Sequence, residues 1–221
     1  MIDQLRIGDK FSYDDYEASV RERTIKDAKK KSIKETVPFS NVTYDFSAIN
    51  GEVYWEEKTL EYVFEISAAT PEELEEKKIA FKSWVMNVMS ENLYDPFVAD
   101  YHFVATYDDI DVDDSEVEKS TISVTFTAYP YMIANDMKLY RAALVANEEV
   151  AVTVHNDSSH RITPTFSSDV PFVLKIDNAT YGLSAGETTD DSFKFAVGVN
   201  TMTLQAEQNG TVEIYFYEEV F

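Results

Sequence analysis

The chain has 221 residues, of which 44% are hydrophobic and 14% are aromatic. Its 19 Lys and Arg residues are outnumbered by 41 Asp and Glu residues, so the formal net charge is −22. The apolar content is too high for a disordered chain, and the negative charge excludes a general binder of nucleic acid.

Several further classes of protein are excluded by what the sequence lacks. There is no cysteine, which excludes disulfides, thiolate nucleophiles and cysteine-based zinc sites. No apolar run approaches the roughly 18 residues that a membrane helix requires. The first residues show neither a basic region nor an apolar one, so no secretory signal is predicted. We therefore expect a soluble, acidic protein with a large share of β structure.

The N-terminal part of the chain is strongly charged. Phe11–Tyr16 is predicted to form a short strand that runs into a turn. Between residues 21 and 34 there are two acids and seven bases, which we call the basic segment: Arg21, Arg23, Lys26, Lys29, Lys30, Lys31 and Lys34. This segment is either a solvated loop or a docking surface for an acidic neighbour.

Two stretches with alternating apolar residues follow. Val42–Phe46 is the first, and Asn50-Gly51 after it supplies a turn signal. Leu60–Ile66 is the second. A period of two predicts half-buried strands, which we expect to lie side by side.

A helix is predicted to begin after Thr70. Thr70 can cap it, Pro71 occupies the first helical position, and Glu73 completes a capping box. Apolar residues then follow helical spacing to about residue 89: Leu74, Phe81, Trp84, Val85, Val88 and Met89. This apolar stripe is predicted to pack on the sheet.

The most acidic stretch lies between two further predicted strands, Tyr101–Tyr107 and Ile122–Ala128. It contains no base and seven acids, which we call the acidic segment: Asp108, Asp109, Asp111, Asp113, Asp114, Glu116 and Glu118. An EF-hand calcium loop requires a central Gly between two helices, and this stretch has neither. The segment is therefore predicted to be a solvated hairpin tip without a metal site.

The last third of the chain indicates a second β unit. Ile133–Arg141 is interpreted as a connection. Alternating apolar residues then predict the strands Val150–Val154, Phe172–Ile176, Phe193–Val197, Met202–Leu204 and Val212–Phe216. The predicted fold class is mainly β. An α+β N-terminal domain, with one main helix packed on antiparallel strands, occupies residues 1–138, and a β-sandwich occupies residues 139–221.

The sequence carries no motif for catalysis or cofactor binding. A nucleophile needs a neighbouring base, and the three histidines, His102, His155 and His160, fit no catalytic or zinc-binding spacing. His102 and His155 alternate out of phase with core residues, so both are predicted to face away from the core. There is no phosphate loop, dinucleotide fingerprint or Gly-x-Ser-x-Gly. We therefore predict no catalytic residue, no metal, no cofactor and no enzyme.

Five stretches, taken in order along nearly the whole chain, carry a family resemblance: Phe11–Tyr16, Val37–Ser47, Leu60–Phe64, Phe126–Tyr131 and Val197–Leu204. The second reads VPFSNVTYDFS, the fourth ends in Tyr-Pro-Tyr, and the last contains a Gly-x-Asn turn. In these stretches the chain resembles the distal tail (Dit) proteins of siphophages and prophages that infect Gram-positive bacteria.

The resemblance implies a structural protein in the short form of that family. Its N-terminal belt domains are expected to form a hexameric ring, with a galectin-like or jelly-roll β-sandwich outside each. The ring is expected to join the major tail tube protein to the tail-tip hub or baseplate proteins, and to contact tape measure and receptor-binding proteins. DNA would pass through its centre without specific binding, and no membrane is involved. The expected location is the distal end of the tail in the virion, after assembly in the host cytoplasm.

The resemblance implies candidate roles for the acidic segment and for the basic segment. The acidic segment is a candidate for the channel wall, where acids would let DNA slide without sticking, or for solvent. The basic segment is a candidate contact arm towards an acidic ring or tube protein.

Two other functions stay open on the sequence alone. The C-terminal sandwich could be a carbohydrate-binding module that presents Tyr181, Tyr215 and Tyr217 to a sugar. Two of the 41 acids could instead form the carboxylate pair of a hydrolase.

Overall fold

The computed structural model describes residues 4–36, 39, 41–47, 52–114, 116, 118–176 and 178–221. The predicted turn at Asn50-Gly51 and part of the VPFSN stretch lie outside these residues. The chain divides into two compact units, Met1–Met132 and Ile133–Phe221. The sequence-based boundary after residue 138 falls further along, inside a strand. No helix among the described residues is long and apolar enough to span a membrane.

The described residues of unit 1 form strands, one α-helix and one 3₁₀ turn. Its strands are β1 (Arg6–Ile7), β2 (Lys10–Phe11), β3 (Ser19–Lys26), β4 (Lys34–Thr36), β5 (Thr43–Asp45), β6 (Lys58–Ser67), β7 (Glu91–Tyr94), β8 (Tyr101–Asp113) and β9 (Lys119–Ala128). The helix α1 spans Pro71–Val85, and one 3₁₀ turn covers Pro96–Val98.

The strands of unit 1 form an antiparallel sheet and a separate pair. β6 lies between β3 and β9, and β9 lies between β6 and β8. β7 pairs with the first half of β8, and β1 and β2 follow β7. β4 and β5 pair with each other in a sheet of their own. The strands β3, β6, β9 and β8 therefore lie side by side in this order and form the main four-stranded part of the sheet in unit 1.

Alternate residues of the two central strands build the core of unit 1. The inward side chains of β6 and β9 are all buried: Leu60, Tyr62, Phe64, Ile66, Ile122, Val124 and Phe126. The helix α1 adds Leu74, Phe81 and Val85, and the rings of Phe64 and Phe81 have centroids 4.9 Å apart. Burying each of these large side chains contributes about 1.5–3 kcal/mol. The predicted packing of one helix on antiparallel strands is confirmed.

The helix begins as predicted and ends earlier than predicted. Thr70 Oγ1 accepts a hydrogen bond from the Glu73 amide at 3.2 Å. The Glu73 carboxylate accepts one from the amide before Thr70, also at 3.2 Å, so it reaches one residue further back than in a capping box. The helix ends at Val85, not near Met89. Ser90 then takes a left-handed backbone with φ of 57°, which turns the chain into β7.

The neighbours of β6 are β3 and β9, so the prediction that Val42–Phe46 lies beside β6 is wrong. β3 contains the first three residues of the basic segment, which are therefore strand and not loop. A β-bulge between Val20 and Glu22 breaks the alternation of β3 and hides the strand in the sequence. Thr43–Asp45 pairs with β4 instead, and its side chains are exposed.

The acidic segment is also mostly strand, which corrects its prediction as a hairpin tip. β8 continues to Asp113 and β9 begins at Lys119, so only a short turn separates them. Ile110 and Val112 alternate with the aspartates and pack against the core of unit 1. These two apolar residues extend the strand, and the period of two places aspartates on the opposite side.

The regular secondary-structure elements among the described residues of unit 2 are all β-strands. They are β10 (Met132–Leu144), β11 (Glu149–Asn156), β12 (Thr165–Ser168), β13 (Phe172–Ile176), β14 (Ala179–Leu183), β15 (Gly186–Thr189), β16 (Gly198–Ala206) and β17 (Gly210–Val220).

These strands form a sandwich of two sheets. One sheet has the order β15-β12-β17-β10, and the other has the order β11-β16-β13-β14. Side chains from both sheets share one core, among them Phe166 and Ile214 from the first sheet and Leu174 and Leu204 from the second. The mainly β fold class is confirmed.

Two predictions for unit 2 are wrong in detail. Ile133–Arg141 is part of β10 and not a connection. Phe193–Val197 is not a regular strand, although Phe193 and Phe195 are buried and Phe195 forms a bridge with Ile162. The residues of β10 lack the full apolar alternation that identifies a strand in a sequence. Phe193 and Phe195 are buried at alternate positions although the chain there is not a regular strand.

The packing of α1 can be tested with two substitutions on the same helix. Phe81 is fully buried, whereas Ile79 is 65% exposed. We expect Phe81→Ala to lower the free energy of unfolding by about 3–5 kcal/mol, because it leaves a cavity under the helix. Ile79→Ala should change it by less than about 0.5 kcal/mol. Urea unfolding followed by circular dichroism measures both, and equal effects would contradict this packing.

Candidate assembly surfaces

The outer side of the sheet β3-β6-β9-β8 carries polar residues in matched rows. Its outward residues, placed by the strand register, are called the polar sheet face: Ser19, Glu22, Thr24, Lys26, Thr59, Glu61, Val63, Glu65, Ser67, Thr106, Asp109, Asp111, Asp113, Lys119, Thr121, Ser123, Thr125 and Thr127. This set contains hydroxyl side chains, carboxylates, two lysines and one valine, and no aromatic residue. Such a surface offers neither stacking platforms nor large apolar contacts.

Cations neutralise one side of this face and leave the other side acidic. Arg21 and Lys119 both pair with Glu65, and their hydrogen bonds lower the pKa of its carboxyl. Lys26 pairs with Glu61. On β8, Asp109 and Asp111 form no ion pair with any described residue. The uncompensated negative charge of the polar sheet face is therefore concentrated on β8.

Within the acidic segment, Asp114 contacts the helix α1. Both of its carboxylate oxygens lie 2.8 Å from Lys78 Nζ, and Ser120 Oγ donates a hydrogen bond at 2.8 Å. Lys78, on α1, has a side chain only 6% exposed. The hydrogen bond from Lys78 lowers the pKa of the Asp114 carboxyl. Asp114 thus ties α1 to the β8–β9 turn, while Glu116 and Glu118 are exposed in that turn.

The basic segment follows one continuous edge. Arg21, Arg23 and Lys26 lie on β3, and Lys34 lies on β4. Between them, the Lys31 amide donates to the Tyr54 carbonyl at 2.8 Å, and Lys30 bridges Trp55. The stretch 19–36 therefore runs beside β6, Trp55 and β5 in turn.

Arg23 turns inward to a buried carboxylate that the sequence reasoning missed. Arg23 Nε lies 3.2 Å from Asp95 Oδ2, which also accepts the Tyr62 hydroxyl proton at 3.0 Å. Asp95 Oδ1 accepts the Phe97 amide at 2.9 Å and so caps the 3₁₀ turn. Burial, and then the Asp95 charge, raise the pKa of Tyr62. The only signal for this site is the Asp95-Pro96 dipeptide, which is typical of a capped turn.

The paired strands β4 and β5, with the described residues that lead into and out of them, form what we call the ribbon (residues 29–36, 42–47 and 52–56). Six of its large apolar side chains are 39–57% exposed: Ile33, Val42, Tyr44, Phe46, Val53 and Tyr54. None of these six belongs to the core of unit 1. An isolated two-stranded pair is marginally stable in water, and exposed apolar patches mark contact sites.

The three candidate tyrosines of unit 2 do not share a platform. Tyr181 lies on β14, and its ring packs edge-on against Phe193 in the core. Tyr215 and Tyr217 lie on β17, in the other sheet. Tyr215 donates its hydroxyl proton to Glu187 at 2.9 Å, and Tyr217 is 47% exposed.

The histidines form no group that could hold a metal ion with other described residues. His102 is outside the core of unit 1, as predicted, but it is buried beside the Tyr94 ring, with centroids 5.1 Å apart. His155 is exposed as predicted, and its Nδ1 lies 2.6 Å from Asp157. His160 Nε2 lies 3.3 Å from Glu219.

Comparisons with known structures identify the fold. The fold is that of a phage distal tail protein of the Dit type. The chain matches the crystal structure of the SPP1 Dit (gp 19.1) protein, described as a paradigm of the hub adsorption apparatus in phages infecting Gram-positive bacteria. The TM-score is 0.71 at 13% identity, over 98% of this chain and 99% of that chain.

A second solved structure also matches the chain, the phage P2 baseplate in its activated conformation with Ca. Here the TM-score is 0.46 at 8% identity, over 97% of this chain and 98% of that chain. No protein-family model matches the sequence, and no curated protein does.

The Lys78–Asp114 contact predicts a pH dependence of stability. The folded pKa of Asp114 lies below its usual value of 3.8, so its stabilising effect is complete above that pH and is lost as pH falls through the folded pKa. Asp114→Asn should destabilise the protein at pH 7 by less than about 1 kcal/mol, because the carboxylate is 54% exposed.

Thermal unfolding at pH 7 and at pH 3 measures this difference against Asp111→Asn, whose carboxylate forms no ion pair among the described residues. The deficit of the Asp114 variant should shrink at the lower pH, and the Asp111 variant should show no deficit at either. A deficit for Asp114→Asn that is the same at both pH values would contradict the ion-pair assignment.

Proposed function

We propose that this chain is a structural distal tail protein of a phage. In this proposal six copies form a ring that joins the tail tube to the tail-tip or baseplate proteins, and DNA passes through the ring. The Dit-type fold over 98% of the chain supports a role at a phage hub. The role is structural, and the catalytic alternative has no constellation of described side chains to support it.

The observation that carries the proposal is the chemistry of the polar sheet face. DNA presents a dense array of phosphates, which cations bind and carboxylates repel. This wall of hydroxyls and carboxylates offers DNA no aromatic ring for stacking, and its two lysines are already paired with Glu61 and Glu65. We therefore assign the polar sheet face to the channel wall, with β8 as its most negative part.

The remaining surfaces supply contacts with other tail proteins. The ribbon combines exposed apolar side chains with lysines, so we assign it to contact within the ring or with the tube protein. The sandwich of unit 2 is assigned to the periphery, where it would hold receptor-binding or other baseplate proteins. Tape measure and tail-tip hub proteins are the other expected neighbours, and the protein would reside at the distal end of the tail after assembly in the host cytoplasm.

The carbohydrate-binding alternative is not favoured, because the three candidate tyrosines do not form one exposed group. Sugar platforms use aromatic rings that are exposed together. Tyr181 packs into the core, and Tyr215 and Tyr217 lie on the opposite sheet. A glycan array probed with the full chain should therefore show no specific signal.

Ring formation is the first expected outcome. Light scattering behind size exclusion should give a species of about six times the 25.2 kDa chain mass, and negative-stain images should show a central hole. A stable monomer at every protein concentration, with added tail tube protein as well, would contradict the ring.

The channel assignment is tested by changing the charge of the polar sheet face. In virions that carry Ser123→Lys and Thr125→Lys on β9, DNA ejection should slow several-fold, because phosphates would bind the new cations. Glu207→Lys is the matched control, since Glu207 is exposed in unit 2 and the substitution adds the same two charges per copy. Unchanged ejection from normally assembled virions of the first variant would exclude this face from the channel.

A further inference from the structure

The strand β11 forms one end of a sheet in unit 2. It has eight residues, and β16 is its one neighbour among the described strands. The other strands of the sandwich with a described neighbour on one side only are β14 and β15, which have five and four residues. β11 is therefore the longest edge of the sandwich in the described part of the chain.

The hydrogen bonds at one end of β11 show which way its backbone groups point. The Tyr140 hydroxyl accepts a hydrogen bond from the His155 amide at 3.1 Å and donates one to the His155 carbonyl at 3.2 Å. The backbone groups of His155 thus point away from Val199, its partner on β16, and the two form a non-hydrogen-bonded pair. Such pairs alternate with hydrogen-bonded pairs along an antiparallel ladder, so the amides and carbonyls of Ala151 and Thr153 also point away from β16.

These outward backbone groups differ in what covers them. The Tyr140 side chain covers those of His155. No hydrogen bond joins the outward amide or carbonyl of Ala151 or Thr153 to any other described residue. The edge is therefore closed by a side chain at its end and open over Glu149–Thr153, a length of about 17 Å, which we call the open edge.

The burial of the inward side chains of β11 follows the same division. Val154, next to the covered end, is fully buried. Val150 and Val152, along the open edge, pack against the core of unit 2 but are only partly buried. A strand added at the open edge would therefore cover these two valines in addition to pairing with the backbone.

β11 has none of the features that normally protect an edge strand from pairing. Protection commonly comes from a bulge, a proline, a lysine or a very short strand. β11 pairs with β16 over eight residues without a register shift, and it contains no proline and no lysine. Its one acidic residue, Glu149, forms an ion pair with Lys175 on β13. A long, regular and unprotected edge of this kind is suited to strand addition.

We propose that the open edge binds an extended segment of another tail protein, which joins the sheet as a further strand. The segment has apolar side chains at alternate positions, where it covers Val150 and Val152, and a basic residue beside Glu148. Glu148 is exposed just before β11 and forms no ion pair with any described residue. This inference rests on the proposed function, which assigns unit 2 to the periphery, and names the surface of unit 2 that holds a neighbour.

Charge disfavours a second copy of this chain as the occupant. Unit 2, residues 133–221, contains 13 acids and five bases, a formal charge of −8. Two such units repel each other, whereas a basic segment is attracted to either. Backbone pairing supplies the affinity for that segment, and its alternate side chains supply the specificity.

A synthetic peptide of the sequence Lys-Thr-Val-Thr-Val-Thr-Val-Lys, blocked at both ends, is a probe of this chemistry. Added to the full-length chain, it should slow hydrogen exchange at the amides of Ala151 and Thr153. The amides of Val150 and Val152 point towards β16 and should change little. The same peptide with a methylated backbone cannot donate hydrogen bonds, so it is the matched control and should protect neither Ala151 nor Thr153.

Substitutions on β11 test the same contact from the side of the protein. Ala151→Pro removes an outward amide and places a ring in the path of an added strand, so it should weaken peptide binding by about tenfold or more. Ala151→Val keeps the amide and should bind the peptide as the original chain does. Glu148→Lys should weaken binding several-fold, and this effect should shrink as salt concentration rises. Circular dichroism of each variant checks folding.

Three results would overturn the inference. The first is a lack of protection at Ala151 and Thr153 with the peptide at millimolar concentration, and this measurement decides alone if Ala151→Pro does not fold. The second is equal peptide binding by a folded Ala151→Pro variant. The third is protection of the same two amides that rises with the concentration of the chain itself, which would make a second copy the occupant.

Ring assembly, scored on the same samples, separates this inference from the proposed function. Rings that form but do not bind the peptide would overturn the strand addition and leave the ring standing. A chain that binds the peptide at the open edge but never forms a ring, with added tail tube protein as well, would contradict the proposed function and leave the open edge as a binding site of unit 2.

Discussion

The alternation of side chains along the paired strands β6 and β9 is the constraint on which unit 1 depends. Ten residues of β6 pair with ten of β9 without interruption, from Lys58 opposite Ala128 to Ser67 opposite Lys119. One set of alternate residues forms the apolar core under α1, and the other set forms the polar sheet face. A slip of one residue would bring Glu61 and Glu65 into the core, so the same register fixes both stability and the surface assigned to the channel.

The outer strands of that sheet are also held by polar contacts. Asp95 receives hydrogen bonds from Tyr62 and the Phe97 amide and pairs with Arg23, which fastens β3 to the body of the unit. Removing one partner of such a buried pair typically costs about 3–5 kcal/mol. On the other side, Lys78 and Asp114 fasten the β8–β9 turn to α1. The outer strands of the sheet are thus fastened to the rest of unit 1 by polar contacts at both sides.

Strong local signals made part of this fold predictable from the sequence. Thr70-Pro71 marked the helix start, and uninterrupted alternation marked β6 and β9. The resemblance to distal tail proteins, drawn from five stretches, agrees with the Dit-type fold.

The bulge beside Arg21 hid β3, and alanines at the buried positions 134 and 142 hid β10. The Asp95 site could not be predicted, because its partners lie on three separate elements. The polar sheet face needed the strand register, since its four strands are not consecutive in the chain.

The central claim is that the polar sheet face lines the channel of a ring. Electron cryomicroscopy of the assembled ring tests it most directly, because side chains at the channel wall can be identified. The account predicts Glu61, Ser123 and Thr125 at the wall in every copy, with the ribbon and unit 2 away from it. A ring whose wall is built from α1 or the ribbon, with the polar sheet face on the outside, would contradict the account.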